Sequence, residues 1–322
     1  MRQHMKTYIE EGTSGAARSV RILAEYLCAL ESFQRLEQRF MVTVFGSARL
    51  LEKSDGPELA EALARGCVAR GYGVITGGSS GVMLAANRGA YEEAKRRKLS
   101  VDDYSVGCAV TLPFESGKNA FLGTQTDFHY FFVRKFFLVA YSKAFFFLEG
   151  GGGTRDELWE VFCLIQTGKM PIHPLVAVGD QRSWQTVRAD LEHMVSRGTI
   201  SEADRNILQF AESVDIALDI VERFYRHVER IHYDKGKRTI EFYLRNGLDS
   251  RVIKVLEGCF APSLNDLSWS AENRCLAASQ FEFRSYAMLY DVVDTINDLL
   301  ADESPASVPL QDHLTRRWSP LD

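Results

Sequence analysis

The chain has no long basic run, no paired-cysteine motif and no uninterrupted apolar stretch long enough to cross a membrane. Each absence removes a class of function. Lys and Arg total 38 against 43 Asp and Glu, for a formal net charge of -5. A general nucleic-acid binder carries a basic face, so no nucleic-acid partner is expected. A small phosphate ester remains within reach, because it needs only local donors and one or two cations. Cys28, Cys67, Cys108, Cys163, Cys259 and Cys275 are scattered without a CxxC pair. They read as reduced, mostly buried thiols rather than disulfides or zinc ligands, and no metal site is expected. The most apolar stretch, Phe131 to Leu148, is broken by Arg134, Lys135 and Lys143, which argues against a membrane span. Residues 1–15 lack the apolar core of a secretory signal, and a cytoplasmic location is expected.

What is there is an alternation of buried-strand and amphipathic-helix patterns. Apolar residues at helical spacing (Val20, Leu23, Ala24, Tyr26, Leu27, Leu30, Phe33, Leu36) predict a helix over 18–38. Strands are expected at Met41–Gly46, Gly73–Thr76, Ser105–Leu112, Ala144–Leu148 and Leu175–Val178. Helices are expected at about 56–70, 82–95, 131–141, 154–166 and 184–197. The strand runs lack clean alternation, as strands buried on both faces do. The pattern therefore predicts an α/β protein with a doubly wound parallel sheet and helices on both faces. Beyond Gly236 the rhythm changes. Ser263–Asn273 reads as turn-like, Gln280–Leu300 as a helix, and the extension as mainly helical.

The strongest local signal is Leu148-Glu-Gly-Gly-Gly-Gly-Thr-Arg-Asp-Glu157, which joins a strand to a helix. Glycines let backbone N–H groups approach an anion, and a helix start adds unpaired donors and a favourable dipole. Gly150, Gly151, Gly152, Gly153 and Thr154 are thus candidates to hold a phosphate. Thr154-x-x-Glu157 also fits a capping box, in which both side chains only satisfy the helix start. Two further glycine turns, Gly46-Ser47 and Gly77-Gly78, should lie at strand ends. Arg134 and Lys135 sit in an otherwise apolar helix. Arg134 suits phosphate or sugar hydroxyls through its planar fork, whereas Lys135 fits either the cleft or snorkelling to the surface.

These segments together resemble the Lonely Guy (LOG) family, long-chain branch, formerly labelled "possible lysine decarboxylase". The resemblance rests on VFGSAR at 44–49, TGGSSGVMLAANRGA at 76–90, LPFESGKN at 112–119, FFVRK at 131–135, LEGGGGTRDELWE at 148–160 and LIQTGKM at 164–170, in order over roughly 20–225. It implies a Rossmann-like nucleotide-binding domain, here placed at 41–230 between a helical extension (1–40) and a C-terminal extension (231–322). It implies cleavage of an AMP-like nucleoside 5′-monophosphate to free base and ribose 5-phosphate, with no cofactor. It also implies a homodimer or higher oligomer. Arg134 and Glu157 map onto the family's catalytic pair, and Gly150, Gly151, Gly153 and Thr154 onto its phosphate loop. Asn119 and Asp156 are secondary candidates. The chain departs from the family at Glu149 and Ser80, where prolines are expected, and at Leu84, where a glutamate is. The competing reading is a nucleotide-binding sensor or assembly protein of the same fold with weak or no activity.

Overall fold

The structure, a computed structural model, describes residues 14–50, 55–110, 119–234, 239–261, 263–281 and 285–301. Seven strands make up one sheet, in the order β4-β3-β2-β1-β5-β6-β7. The chain divides into two compact units, parting between Ser142 and Lys143.

In the first unit, α1 (Gly15–Phe33) is opened by Ser14, whose Oγ accepts a hydrogen bond from the Ala17 amide at 3.2 Å. The helix ends at Phe33, and a tighter turn carries Gln34–Leu36. Ala17, Ala29 and Phe33 are buried, whereas Val20, Leu23 and Leu27, expected on the core face, stay exposed. Next come β1 (Met41–Phe45), α2 (Asp55–Ala69), β2 (Gly73–Thr76), α3 (Val82–Arg96), the short α4 (Val101–Tyr104) and β3 (Ser105–Val110). The unit's remaining elements are β4 (Thr124–Phe128) and α5 (Phe131–Ala140). Strands β1 to β4 pair in parallel with their sequence neighbours. Every residue of β1 and β2 is buried, which is why their patterns read as continuous apolar runs. β4 was not anticipated: Thr124-Gln-Thr-Asp127 alternates half-buried and exposed residues at the sheet edge, and only Phe128 at its end is buried. The start of α5 is held from α1, where the Glu25 carboxylate accepts from the amides of His129 (2.7 Å) and Tyr130 (3.1 Å).

The second unit begins within β5 (Ser142–Phe147) and continues through α6 (Gly152–Gln166), β6 (Leu175–Val178), α7 (Gln181–Ser196), β7 (Leu208–Ala211) and α8 (Val214–Phe224). β5, β6 and β7 pair in parallel. The run Ala144 to Leu148 has no exposed surface. At roughly 1.5–3 kcal/mol for each large apolar side chain removed from water, it is a principal source of the unit's stability.

Beyond β7 the unit carries a second sheet that the sequence did not signal. β8 (Val228–Asp234), β9 (Thr239–Leu244), β10 (Leu264–Ser270) and β11 (Cys275–Phe281) form an antiparallel sheet in the order β10-β11-β9-β8. It accompanies the helices α9 (Ser250–Phe260) and α10 (Leu289–Leu299). Much of the segment expected to be turn-like is therefore strand β10, and the helix expected from Gln280 starts only at Leu289. Polar contacts fasten this region to residues 166–173. The Tyr290 hydroxyl donates to His173 O at 2.6 Å, and the Ile172 amide donates to the Tyr233 hydroxyl at 3.1 Å. The Asp204 carboxylate accepts from Gln166 Nε2 (2.8 Å) and from the Ser285 hydroxyl. α6 starts at Gly152 and ends at Gln166, so the Gln166 fastening lies about 20 Å along that helix from the glycine loop. Among the described residues, no helix is long and apolar enough to cross a membrane.

Candidate functional site

The glycine loop leaves the carboxyl end of β5 and enters α6, whose boundary decides how the loop is read. The helix begins at Gly152 and its N-cap is Gly151, with no side-chain cap. Thr154 therefore lies inside the first turn and does not precede it, so the capping-box reading of Thr154 and Glu157 fails. The first intrahelical amide is that of Arg155, which donates to Gly151 O at 3.1 Å. The amides of Gly152, Gly153 and Thr154 are the orphan donors every helix start leaves, and the N-cap Gly151 has no side chain to answer them. A Cβ added at Gly151, Gly152 or Gly153 would meet nothing within 4 Å, so the space beside these glycines is open. Gly150 differs: a Cβ there would come 2.1 Å from Thr154 Oγ1, so the threonine folds back against it.

Thr154 and Glu157 are each only 7% exposed. Glu157 thus places a carboxylate one turn into a helix whose exposed start is built of glycine. Asp156, on the same turn, is exposed. Glu149, at the family's proline position, is also exposed and is drawn toward the start of α7, where the Ser183 hydroxyl donates to it at 3.5 Å.

In the first unit, the half-buried Arg134 is anchored by two strand-end carbonyls. Its Nε donates to Cys108 O at 2.7 Å and its Nη2 to Gly77 O at 3.2 Å. These bonds fix the guanidinium plane and leave its other N–H donors for a ligand. The Phe131 ring lies 5.7 Å below the guanidinium carbon. A Cβ on Gly77 would come 2.3 Å from Arg134 Nη2, so any larger residue here would displace the guanidinium. Lys135, its neighbour, is half-buried.

The remaining candidates lie on these turns, in roles the sequence did not distinguish. Ser47 O accepts from the Val82 amide at 3.0 Å, and Ser47 Oγ from the Arg49 amide at 3.1 Å. Gly46 abuts Val82, where a Cβ would come 2.3 Å from Cγ1. Ser80, the second departure from the family pattern, donates its hydroxyl to Ala48 O at 2.9 Å and stitches the two glycine turns together. Gly78 has φ +69 and turns its amide onto Thr76 Oγ1 at 2.9 Å. Asn119 is 7% exposed; its Nδ2 donates to Asn87 Oδ1 at 2.9 Å and its Oδ1 accepts from the Phe121 amide at 3.0 Å. The rest of the 112–119 motif lies outside the described residues. Asn87 and Thr76 were not singled out in the sequence, although both fall inside the 76–90 motif.

Residues 83–221 match the family model described as "Possible lysine decarboxylase". The chain is 27% identical over 199 residues to a rice (Oryza sativa subsp. japonica) protein named "Probable cytokinin riboside 5'-monophosphate phosphoribohydrolase LOGL3", covering 61% of this chain and 90% of the rice protein. Among solved structures, it is similar to the molybdenum cofactor carrier protein of Chlamydomonas reinhardtii, with 19% identity and a TM-score of 0.39 over 57% of this chain and 97% of that one. It is also similar to the molybdenum cofactor binding protein of Rippkaea orientalis, with 17% identity and a TM-score of 0.40 over 57% and 96%.

Proposed function

We propose that this chain, which resembles the Lonely Guy family in its motifs and in its match over residues 83–221, hydrolyses the N-glycosidic bond of a nucleoside 5′-monophosphate. The observation that carries this reading is the uncapped glycine start of α6 with the buried Glu157 one turn inside it. The amides of Gly152, Gly153 and Thr154 receive the 5′-phosphate, with the helix dipole favouring its charge. Cleavage breaks the bond between C1′ and the base nitrogen and passes through an oxocarbenium-like ribosyl centre. Glu157 stabilises that centre and accepts a proton from the attacking water, whose oxygen joins C1′. The base leaves carrying one proton taken from solvent, Glu157 returns the one it took from water to solvent, and ribose 5-phosphate is the second product. Arg134 orients the ribose phosphate or the leaving base. Binding the phosphate, remote from the bond that breaks, aligns that bond for attack.

A second copy of the chain is part of this reading. Val20, Leu23 and Leu27 of α1 are 44%, 57% and 50% exposed, and Phe131 and Phe132 of α5 are 49% and 58% exposed. Such an apolar surface on a folded unit supports self-association.

The test is product analysis. Purified protein is incubated with AMP, GMP, IMP, CMP and UMP, and free base and ribose 5-phosphate are quantified. Base release is expected, falling roughly 10²- to 10⁴-fold in Glu157→Gln. Saturable nucleotide binding without release from any of the five would replace this reading with the non-catalytic one. Glu149 supports that second reading, because it sets a carboxylate beside the loop.

A further inference from the structure

Asn119 stands among the candidates for touching substrate, yet both ends of its amide are engaged inside the protein. The partners form a chain of hydrogen bonds with one consistent direction. The Gly78 amide donates to Thr76 Oγ1 at 2.9 Å. The Thr76 hydroxyl donates in turn to Asn87 Oδ1 at 2.5 Å. That assignment orients the Asn87 amide, so its Nδ2 faces β3 and donates to Ser105 Oγ (3.0 Å) and Val106 O (3.4 Å). Asn119 completes the set by donating Nδ2 to Asn87 Oδ1 at 2.9 Å and to Ser79 O at 3.4 Å. Asn87 and Thr76 have no exposed surface. Each lone pair and proton of the Asn87 side-chain amide is used, as a buried amide requires.

This network grips the turn after β2 on both sides of Gly78, through its amide and through Ser79 O. The carbonyl just before it, Gly77 O, is the one that receives Arg134 Nη2 at 3.2 Å. We infer that Thr76, Asn87 and Asn119 are positioning residues for Arg134: they set the plane of the Gly77 carbonyl and so aim the guanidinium. Asn119 accordingly reaches the substrate through Arg134 and does not touch it. A buried network resists partial disruption, because each group left unpaired keeps its desolvation cost with no hydrogen bond to offset it.

The inference rests on the hydrolase reading for its kinetic consequence, but not for its structural one. Two measurements separate them. Hydrogen exchange of the Arg134 Nε–H, followed by NMR, reports how firmly the guanidinium is held. Kinetics of base release from AMP report what that holding does. Thr76→Val keeps the side-chain shape and removes the hydroxyl. Asn119→Asp replaces the donating nitrogen with oxygen at the edge of the network. Thr76→Ser restores the hydroxyl.

In the folded valine and aspartate variants, exchange is expected to quicken at least about tenfold. The kcat should fall roughly 10- to 100-fold with KM for AMP within about threefold, since misaimed groups lose rate more than binding. The serine variant should match the unaltered protein in both. Unchanged exchange in both disruptive variants, or a serine variant no better than valine, would overturn the assignment. So would failure of both disruptive variants to fold, which would make the network a device of the fold alone. If the unaltered protein releases no base, the hydrolase reading falls and the exchange comparison decides this inference by itself.

Discussion

The glycines of the turns after β1 and β2 and those that start α6 do opposite things. In the first unit, the turns after β1 and β2 need glycine because the protein itself fills the space. A Cβ at Gly46 would come 2.3 Å from Val82 Cγ1, and one at Gly77 would come 2.3 Å from Arg134 Nη2. At Gly81, with φ +62, a Cβ would come 2.4 Å from Ser47 O. At the start of α6, a Cβ added at Gly151, Gly152 or Gly153 would meet nothing within 4 Å, and none has a positive φ. Conformation and packing explain the first group and leave the second unexplained. Under the proposed function, the room beside these glycines is where the 5′-phosphate would sit.

Substitution breaks or sharpens that contrast. The largest effect is expected at Gly81→Ala, where positive φ and a backbone clash act together. Unfolding by urea should show a loss of about 3 kcal/mol. A loss below about 1 kcal/mol would remove the claim that this turn is protein-filled.

Acidification tests the second unit without touching its loop. Its buried His173 lies 2.7 Å through Nδ1 from the Tyr225 hydroxyl, which donates its one proton to Lys143 O at 2.8 Å. Nδ1 therefore carries a proton and donates to Tyr225. Burial, helped by the nearby Lys143 charge, lowers the His173 pKa from 6.5 to about 3. The folded state then binds fewer protons than the unfolded chain between those values. Stability contributed by neutral His173 is present above pH 6.5 and is lost as pH falls toward 3. At pH 5 the loss should reach about 2 kcal/mol. Thermal unfolding of His173→Gln against pH should show a flatter slope; an equal slope would rule the histidine out.

The smallest effect is the most diagnostic. Gly152→Ala should raise stability slightly, by roughly 0.5–1 kcal/mol, because alanine suits a helix and meets no neighbour. The same methyl should weaken AMP binding about tenfold, near 1.4 kcal/mol, as read by calorimetry. Unchanged binding would mean that the open space is not where the nucleotide sits.

The sequence disclosed the elements that bury both faces and hid those that bury one or none. β1, β2 and β6 read as apolar runs because all their residues are buried. β4 and β10 did not, since Thr124-Gln-Thr-Asp and Leu264-Asn-Asp-Leu-Ser hold many polar residues that spend the strand half-buried or exposed. The α1 stripe illustrates the converse, because helical periodicity there included Val20, Leu23 and Leu27, which lie outside the core. In the candidate site, residue types were legible while their engagements were not. Thr154 and Glu157 matched a cap by spacing, yet the helix starts two residues earlier, at Gly152. Asn119 matched a ligand contact by motif, yet its amide is engaged inside the protein. Spacing cannot say where a helix begins when glycines, which carry no capping side chain, precede it.

The bare start of α6 also has a consequence for how the protein responds to heat. A helix whose leading amides lack acceptors frays, exchanging its first turn with solvent more readily than the turns behind it. An anion seated there would be the missing end-piece of the helix, so occupancy and local order would rise together. The melting temperature would then act as a gauge of bound nucleotide, climbing with concentration by mass action. Slowed exchange at Gly152, Gly153 and Thr154 would trace the climb to that one turn.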